Sequence, residues 1–444
     1  MSKNPDVYLL YEYSDKLPFT VRMKVCLDCA VDPEMLREAS QEAISRFPYF
    51  RVQIGLDEKQ NIILEPNDRP MAVLPEKDER LILGSDSVNR HLLAVTYRDD
   101  CIWFNFSHSL CGAFGALFWV KTTLYQYMIK KYGLLKAPMD IKLPGTQVAE
   151  EELSYPDADK LPKDEPISRY TGGDTNIAIG RMLKFLLNPF VKDNYYYQVD
   201  IPAREFMDYA ARIDGSPNTI LAAILYKVCA LYFKEDAKNH ISGRIAADYR
   251  SDIGADFSYR DFVRLIHIKY EWSWKEESIQ KLNMRARGQV ITQNQAELSC
   301  ERFFKMEKVH DEIDKQPDLK SKKKYASSHS TFRSDPRDIY TISYVGKTDW
   351  GQMDSHIKGF YTLTDGDFML EVNALSDRFC IAFQLINKDS KPVDLFCKIL
   401  DQEKIPYKVS ERLKRNLPRI EMPYADSSYS TALRRQSGLW REAF

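Results

Sequence analysis

The 444-residue chain has no excess charge of either sign: 63 Lys and Arg stand against 64 Asp and Glu, a formal net charge of −1. Such a balance leaves no global field to hold a polyanion, so neither nucleic acid nor an anionic bilayer is an expected partner, and any phosphate site has to be local. No stretch approaches the roughly 20 apolar residues of a membrane span. The opening MSKNPDVYLLYEYSDKLPF lacks the basic head, apolar run and small-residue cleavage site of a secretory signal. A soluble, cytoplasmic protein is the expectation. Cysteine is scarce: eight residues, mostly in apolar runs such as ILYKVCALYF around Cys229, read as buried small hydrophobes in a reducing compartment, with no need of disulfides. Cys26 and Cys29 make a lone C-x-x-C, but an offset of three within a strand puts them on opposite faces, and no second pair is near enough to complete a metal or redox site. The seven histidines never fall in H-x-x-x-H or H-E-x-x-H spacing, and G-x-S-x-G, P-loop and G-x-G-x-x-G signatures are all missing. Zinc enzymes, nucleophile-elbow hydrolases, P-loop NTPases and dinucleotide-binding enzymes therefore lose their sequence support.

What is there describes an ordinary globular protein, with 44% apolar, 29% charged and 12% aromatic residues. At this length one hydrophobic core rarely organises the whole chain, so two lobes are expected. Residues 20–29 and 51–55 read as strands. Between them, apolar residues at 35, 36, 39, 43, 44 and 47 have helical spacing, with Asp32 as N-cap and Pro33 at the first helical position. Hairpins follow near 50–65 and at HLLAVTYRDDCIWFNFSHS, the second turning at Asp99-Asp100. A long helix with Leu117, Val120, Leu124 and Met128 on one face begins a few residues past His108.

From about 137 to 175 the text becomes polar and broken by Pro and Gly, which suggests a connection between lobes. We expect a first lobe over 1–165, a linker at 166–180 and a second lobe over 181–444. The second lobe begins with the strand YYYQVDIP, a helix stopping at Gly215 and the strongly apolar helix SPNTILAAILYKVCALYFKE. Further strands, a charged helical block at 275–315 and a last helix PVDLFCKILDQEKI complete it. The basic run KSKKK at 320–324 reads as a solvated loop, with an anion-binding role as the alternative.

One stretch combines a titratable group, a strand end and a glycine-containing turn: Phe106-Ser107-His108-Ser109-Leu110-Cys111-Gly112-Ala113-Phe114-Gly115. Strand alternation puts His108 on the face of Phe104 and Phe106, where a histidine is either a packed structural group or a held base. Cys111 beside it is either a packed thiol or a nucleophile whose only neighbouring base is His108.

HSLCGAFGALFWVKTTLYQYM resembles the H-x-x-x-D-G motif and following helix of the chloramphenicol acetyltransferase-like superfamily, which includes alcohol acetyltransferases and condensation domains; His108, Leu110, Gly115, Ala116, Leu117, Lys121, Thr122, Leu124 and Tyr127 fall in register. RFPYF at 46–50 is similar to that family's RFP-plus-aromatic motif, SPNTILAAILYKV to its T-x-x-x-x-L-x-A-x-L helix, and ADYRSDIGADFSYRDFVRLIHI to its N-x-R strand followed by R-N-F. ISYVGKTDWGQM sits where relatives carry S-N-L-G. The matches run in order from about residue 20 to about 410. The resemblance implies a mixed α/β fold of two chloramphenicol-acetyltransferase-like lobes, each a sheet backed by helices, with a channel between them.

It also implies His108 as the general base that takes a proton from an alcohol or amine attacking a thioester carbonyl. An oxyanion donor is then needed, and Ser343, or a group in the Asp349-Trp350-Gly351 turn, is the candidate. The acyl donor would be acyl-CoA or an acyl-phosphopantetheine arm on an acyl or peptidyl carrier protein, a co-substrate and not a resident cofactor; no metal is implied. The chain departs from the motif where the family has Asp-Gly: Gly112 and Ala113 stand there. In relatives that Asp turns away from the channel and pairs with an arginine, holding the loop in shape, and Arg250 is the arginine left to be accounted for. Gly112, Gly115 and Arg250 are thus the expected supports of the His108 loop. Two readings follow: an active acyltransferase, or a degenerate member binding a ligand or protein partner in the old channel.

Overall fold

A computed structural model describes residues 5–13, 19–133, 136–138, 140–164, 194–233, 240–329, 338–364, 366–386 and 388–417. The linker expected at 166–180 lies outside the described residues, as does the tail from 422.

The first lobe runs β1 (Thr20–Leu27), α1 (Pro33–Ile44), β2 (Val52–Leu56), β3 (Ile62–Pro66), β4 (Val73–Pro75), β5 (Leu93–Arg98), β6 (Cys101–Ser107), α2 (Ala113–Tyr132) and a short α3 (Glu150–Leu153). Met23, Val25 and Leu27 alternate into the core with 36, 39 and 44 of α1 and 120, 124 and 128 of α2, which is how a two-residue period meets a 3.6-residue one across a sheet–helix layer. Asp32 caps α1 as expected, its carboxylate accepting from the amides of Glu34 and Met35 at 3.0 Å. Asp99 adopts φ +55° in the β5–β6 turn, a conformation that Asp tolerates better than most residues.

The second lobe contains β7 (Tyr195–Pro202), α4 (Ala203–Arg212), α5 (Pro217–Phe233), β8 (His240–Asp248), β9 (Val263–Glu271), α6 (Ile279–Gln293), α7 (Ala296–Asp314), α8 (Leu319–Ser328), β10 (Asp338–Lys347), β11 (Ile357–Leu363), β12 (Met369–Ala374), β13 (Arg378–Leu385), α9 (Lys391–Gln402) and β14 (Lys408–Arg415). Its seven strands are ordered β14-β7-β13-β12-β10-β8-β9. Helix α5 is buried on every side at 219–226, which accounts for an apolar run with no polar face.

The five-stranded sheet of the first lobe is ordered β11-β1-β6-β5-β4. Strand β11 therefore leaves the second half of the chain to pair antiparallel with β1, Arg22 opposite Leu363 and Leu27 opposite Ile357. It is stitched back to the second sheet by side chains: Tyr361 donates to Asp200 at 2.6 Å, and Thr364, just past its end, donates to Glu371 at 3.4 Å. A boundary drawn along the sequence separates the chain but not the sheets.

Two expectations are corrected. KSKKK is not a loop: it lies in α8, capped by Asp318, with Leu319, Lys322 and Ala326 buried on one face at helical spacing. Lys322 turns inward and donates to the Asp314 carbonyl at 2.9 Å, satisfying an orphan acceptor at the end of α7. The second concerns cysteine. The β1–β6 register sets Cys101 directly opposite Cys26, and the two form a disulfide, so cysteine usage no longer argues for a reducing compartment. Cys29 lies past the strand, its thiol 2.8 Å from the Tyr132 hydroxyl. Among the described residues no single helix is long and apolar enough to cross a membrane.

Candidate active site

Every residue of β6 is buried, and the strand stops at Ser107. His108 is therefore not in strand register with Phe104 and Phe106, as alternation suggested, but in a turn: its amide donates to the Phe19 carbonyl at 2.8 Å, and the Leu110 amide returns to the Ser107 carbonyl at 2.9 Å. The hydroxyls of Ser107 and Ser109 share a hydrogen bond of 2.7 Å beneath it. Phe104 and Phe106 are sealed in the core, whereas the His108 side chain is 28% exposed. The ring is thus partly exposed, on a backbone turn held from below.

Facing the ring is Asp261, whose carboxylate Oδ2 lies 3.3 Å from His108 Nδ1 and whose side chain is 5% exposed. Asp261 arrives on the segment between the Tyr249–Ile253 turn and β9, and several contacts set that segment. Arg250 grips it from one side: Nε donates to the Ser258 carbonyl at 3.1 Å and Nη2 to the Arg260 carbonyl. The same guanidinium pairs with Asp248 and lies 4.5 Å over the Phe114 ring in the first turn of α2. Arg250 is thus engaged, not orphaned by the missing motif acid.

The RFPYF motif holds the other side. Arg46 and Glu152 form a buried pair at 2.5 Å, Tyr49 donates to Glu152 at 3.0 Å, and the Tyr49 ring stacks on Tyr259 at 4.1 Å. Burial works to raise the Glu152 pKa, but the hydrogen bonds from Arg46 and the Ala149 amide hold it below the usual carboxylate range. The Tyr259 amide in turn donates to the Glu152 carbonyl at 3.1 Å. At the start of the chain, Asp6 accepts from the Asp261 backbone amide, and burial pushes its carboxyl well up.

Both glycines of the motif region are explained by this crowding. A methyl group built on Gly115 would collide with the Tyr259 carbonyl oxygen, and one on Gly112 would collide with Asp261 Oδ1 and come within 3.1 Å of its Cγ. Cys111 is 1% exposed, and burial together with the nearby Asp6 and Asp261 carboxyls pushes its thiol well up, which removes it as a nucleophile.

No family model matches the sequence, and no curated protein matches it. Solved structures do. TRI101 of F. sporotrichioides, complexed with coenzyme A and T-2, superposes with a TM-score of 0.55 at 11% identity, over 90% of this chain and 98% of that one. TRI3 trichothecene 15-O-acetyltransferase from Fusarium sporotrichioides gives 0.53 at 10% identity, over 90% and 93%. The first condensation domain of the CDA synthetase gives 0.54 at 8%, over 93% and 98%. The chain has the two-lobed chloramphenicol acetyltransferase-like fold.

In this fold the residues expected from sequence divide by their place along β1. Thr20 is paired with Ser107, next to His108, while Leu27, at the other end, is paired with Ile357. Seven residues of strand separate those ends by about 23 Å. Ser343 shares the His108 end: it pairs with Glu371 across β10 and β12 and hydrogen-bonds its carboxyl, as does Thr364, the residue after the Leu363–Arg22 pair. The Asp349–Gly351 turn belongs to the far end. Trp350 is 1% exposed in the first lobe's core, edge-on to Phe360 at 5.2 Å, and the Gly351 amide donates to Asp349 at 2.9 Å. The register thus sets Ser343 and the Trp350-Gly351 turn toward opposite ends of β1.

Two groups were missed in the sequence. Asp261 stands in RDF where the matched pattern has R-N-F, and that single change was its signal. Glu371 interrupts the apolar strand FMLEVNAL; it is fully buried, and burial pushes its carboxyl up to about 8, against the pull of Ser343 and Thr364. Among the described residues no group of three or more His, Cys, Asp or Glu side chains is placed to hold a metal ion.

Proposed function

We propose that the protein is an acyltransferase that moves an acyl group from a thioester, coenzyme A or a carrier-protein phosphopantetheine, to an alcohol or amine, with His108 as general base. The reading rests on His108 itself: a partly exposed imidazole at a strand end, its Nδ1 3.3 Å from a buried carboxylate, in a fold shared with TRI101 complexed with coenzyme A and with a trichothecene 15-O-acetyltransferase.

With the Asp261 carboxylate facing Nδ1 at 3.3 Å, the tautomer that keeps its proton on Nδ1 leaves Nε2 as the basic nitrogen. It takes the proton of the acceptor O–H or N–H as that atom bonds to the thioester carbonyl carbon. The carbonyl oxygen becomes an oxyanion for which a positioned donor is worth ~3–4 kcal/mol, and Ser343 is our candidate, its hydroxyl turning from the Glu371 carboxyl to the oxyanion. When the tetrahedral intermediate collapses, the C–S bond breaks and the thiolate takes the proton back from Nε2, leaving free thiol and ester or amide. We assign no residue to the coenzyme A nucleotide.

The test is thiol release from acetyl- and longer-chain acyl-CoA with a panel of alcohols and amines, comparing wild type with His108→Ala. Acceptor-dependent release by wild type that the variant lacks supports transfer. Equal release by both across the panel, and with an acyl carrier protein as donor, leaves the alternative of a non-catalytic binder.

A further inference from the structure

We infer that the acid of the His108 motif has been moved through space: Asp261 takes over from the position four residues after His108, and acts as the positioning residue of the His108 ring. This deepens the proposed acyl-transfer reading and, for its effect on rate, rests on it.

The two positions exclude each other sterically. Gly112 has no side chain, and the space a Cβ would fill there is held by the Asp261 carboxylate. Any side chain at 112 would displace Asp261, and an aspartate there would set two carboxylates against each other in a buried site. Gly112 is therefore what leaves the Asp261 carboxylate its present position, and not only the mark of a lost acid.

The new acid does a different job. An acid that pairs with arginine shapes the loop from outside, and here Arg250 shapes it by holding the Ser258 and Arg260 carbonyls, with Asp248 as its counter-ion. The carboxylate freed from that task meets the base, with Oδ2 at 3.3 Å from Nδ1. At that separation the two groups are within ion-pair distance without a hydrogen bond between them, and a carboxylate facing Nδ1 favours the tautomer with the proton on Nδ1 and the lone pair on Nε2. Asp261 is itself built in. Its amide is bound by Asp6, and its two preceding residues are locked by the Tyr49–Tyr259 stack and by Arg250.

The experiment uses the full chain with 15N-labelled histidine, the His108 ring signals being identified by their loss in His108→Ala. At pH 9, wild type is expected in the Nδ1–H tautomer, and Asp261→Ala is expected to shift the ring toward Nε2–H. In the thiol-release assay Asp261→Ala is expected to lower kcat about 10–100-fold, the range for removing a group that orients a functional ligand, with the KM for acyl-CoA unchanged. The exchange Gly112→Asp/Asp261→Gly should recover part of the lost kcat relative to Gly112→Asp alone. Asp261→Asn, close in size, guards against loss of fold, since its amide oxygen can still accept from Nδ1–H and keep the tautomer. An unchanged His108 tautomer in Asp261→Ala overturns the inference. That outcome is independent of turnover, so a protein without transferase activity would sink the proposed function while the ring signals still decided the role of Asp261.

Discussion

Glu371 lends itself to a quantitative test because one buried carboxyl dominates its own pH response. Its folded-state pKa is pushed up from 4.5 to about 8 by burial on the inter-lobe face of β12. A raised pKa means that the folded protein disfavours the charged form. The contribution of Glu371 is therefore fully present below pH 4.5 and declines as pH rises to 8. Between those values the unfolded chain releases the proton and the folded one keeps it, so stability falls by about 1.4 kcal/mol per pH unit. Over the whole window the loss is on the order of 5 kcal/mol. Glu371→Gln keeps the shape and an oxygen for the Ser343 and Thr364 hydroxyls but cannot ionise. Variant and wild type should have nearly equal urea midpoints at pH 5, and the variant should gain steadily on wild type at pH 6, 7 and 8. Taking the difference between the two proteins at each pH removes the contribution of every other titrating group. Parallel pH profiles would refute the argument, since they would mean that Glu371 reaches water or a cationic partner.

Two other perturbations probe the support of the His108 turn. Arg46→Met leaves the Glu152 carboxylate, 1% exposed in the pair, with the more distant Lys142 at 3.6 Å as its cationic partner, and should cost up to roughly 3–5 kcal/mol in denaturant unfolding. The paired change Arg46→Met/Glu152→Leu should cost distinctly less, because no charge is left stranded; equal losses would argue against a desolvated pair. Gly115→Ala drives a methyl group into the Tyr259 carbonyl, so it should destabilise the protein by about 1–3 kcal/mol through overpacking. It should also move the segment carrying Asp261, and retention of full thermal stability would show that α2 and that segment separate easily.

Local chemistry made much of the architecture legible in advance. Asp32 and Pro33 set the start of α1, the apolar spacing of 117–128 set the inward face of α2, and the Asp99-Asp100 turn set the β5–β6 hairpin, because capping, periodicity and turn conformation are properties of a few neighbouring residues. His108 stood out locally as a titratable group at the junction of a strand and a glycine-containing turn, but its reading as a base came from the motif resemblance. α8 was misread because a run of lysines looks solvated when counted, and only the packing of 319, 322 and 326 reveals its buried face. The Cys26–Cys101 bond was invisible because it depends on strand register across 75 residues.

The composition of the site lay beyond any local reading. Sequence order delivers the His108 segment, with Gly112 and Ala113 in place of Asp-Gly, and the Arg-Asp-Phe segment, whose Asp261 lies 149 positions beyond Gly112 and replaces an Asn of the resembling pattern. Nothing along the chain relates the two. Their relation is a matter of volume and charge in three dimensions: one small buried space beside an imidazole admits one carboxylate, and the fold supplies it from Asp261 and not from position 112. The same holds for Ser343, Trp350 and Gly351, close in sequence yet divided by the register of β11 against β1. Short-range residue chemistry thus settled the elements and singled out His108, while the carboxylate that faces it was chosen by packing between distant segments.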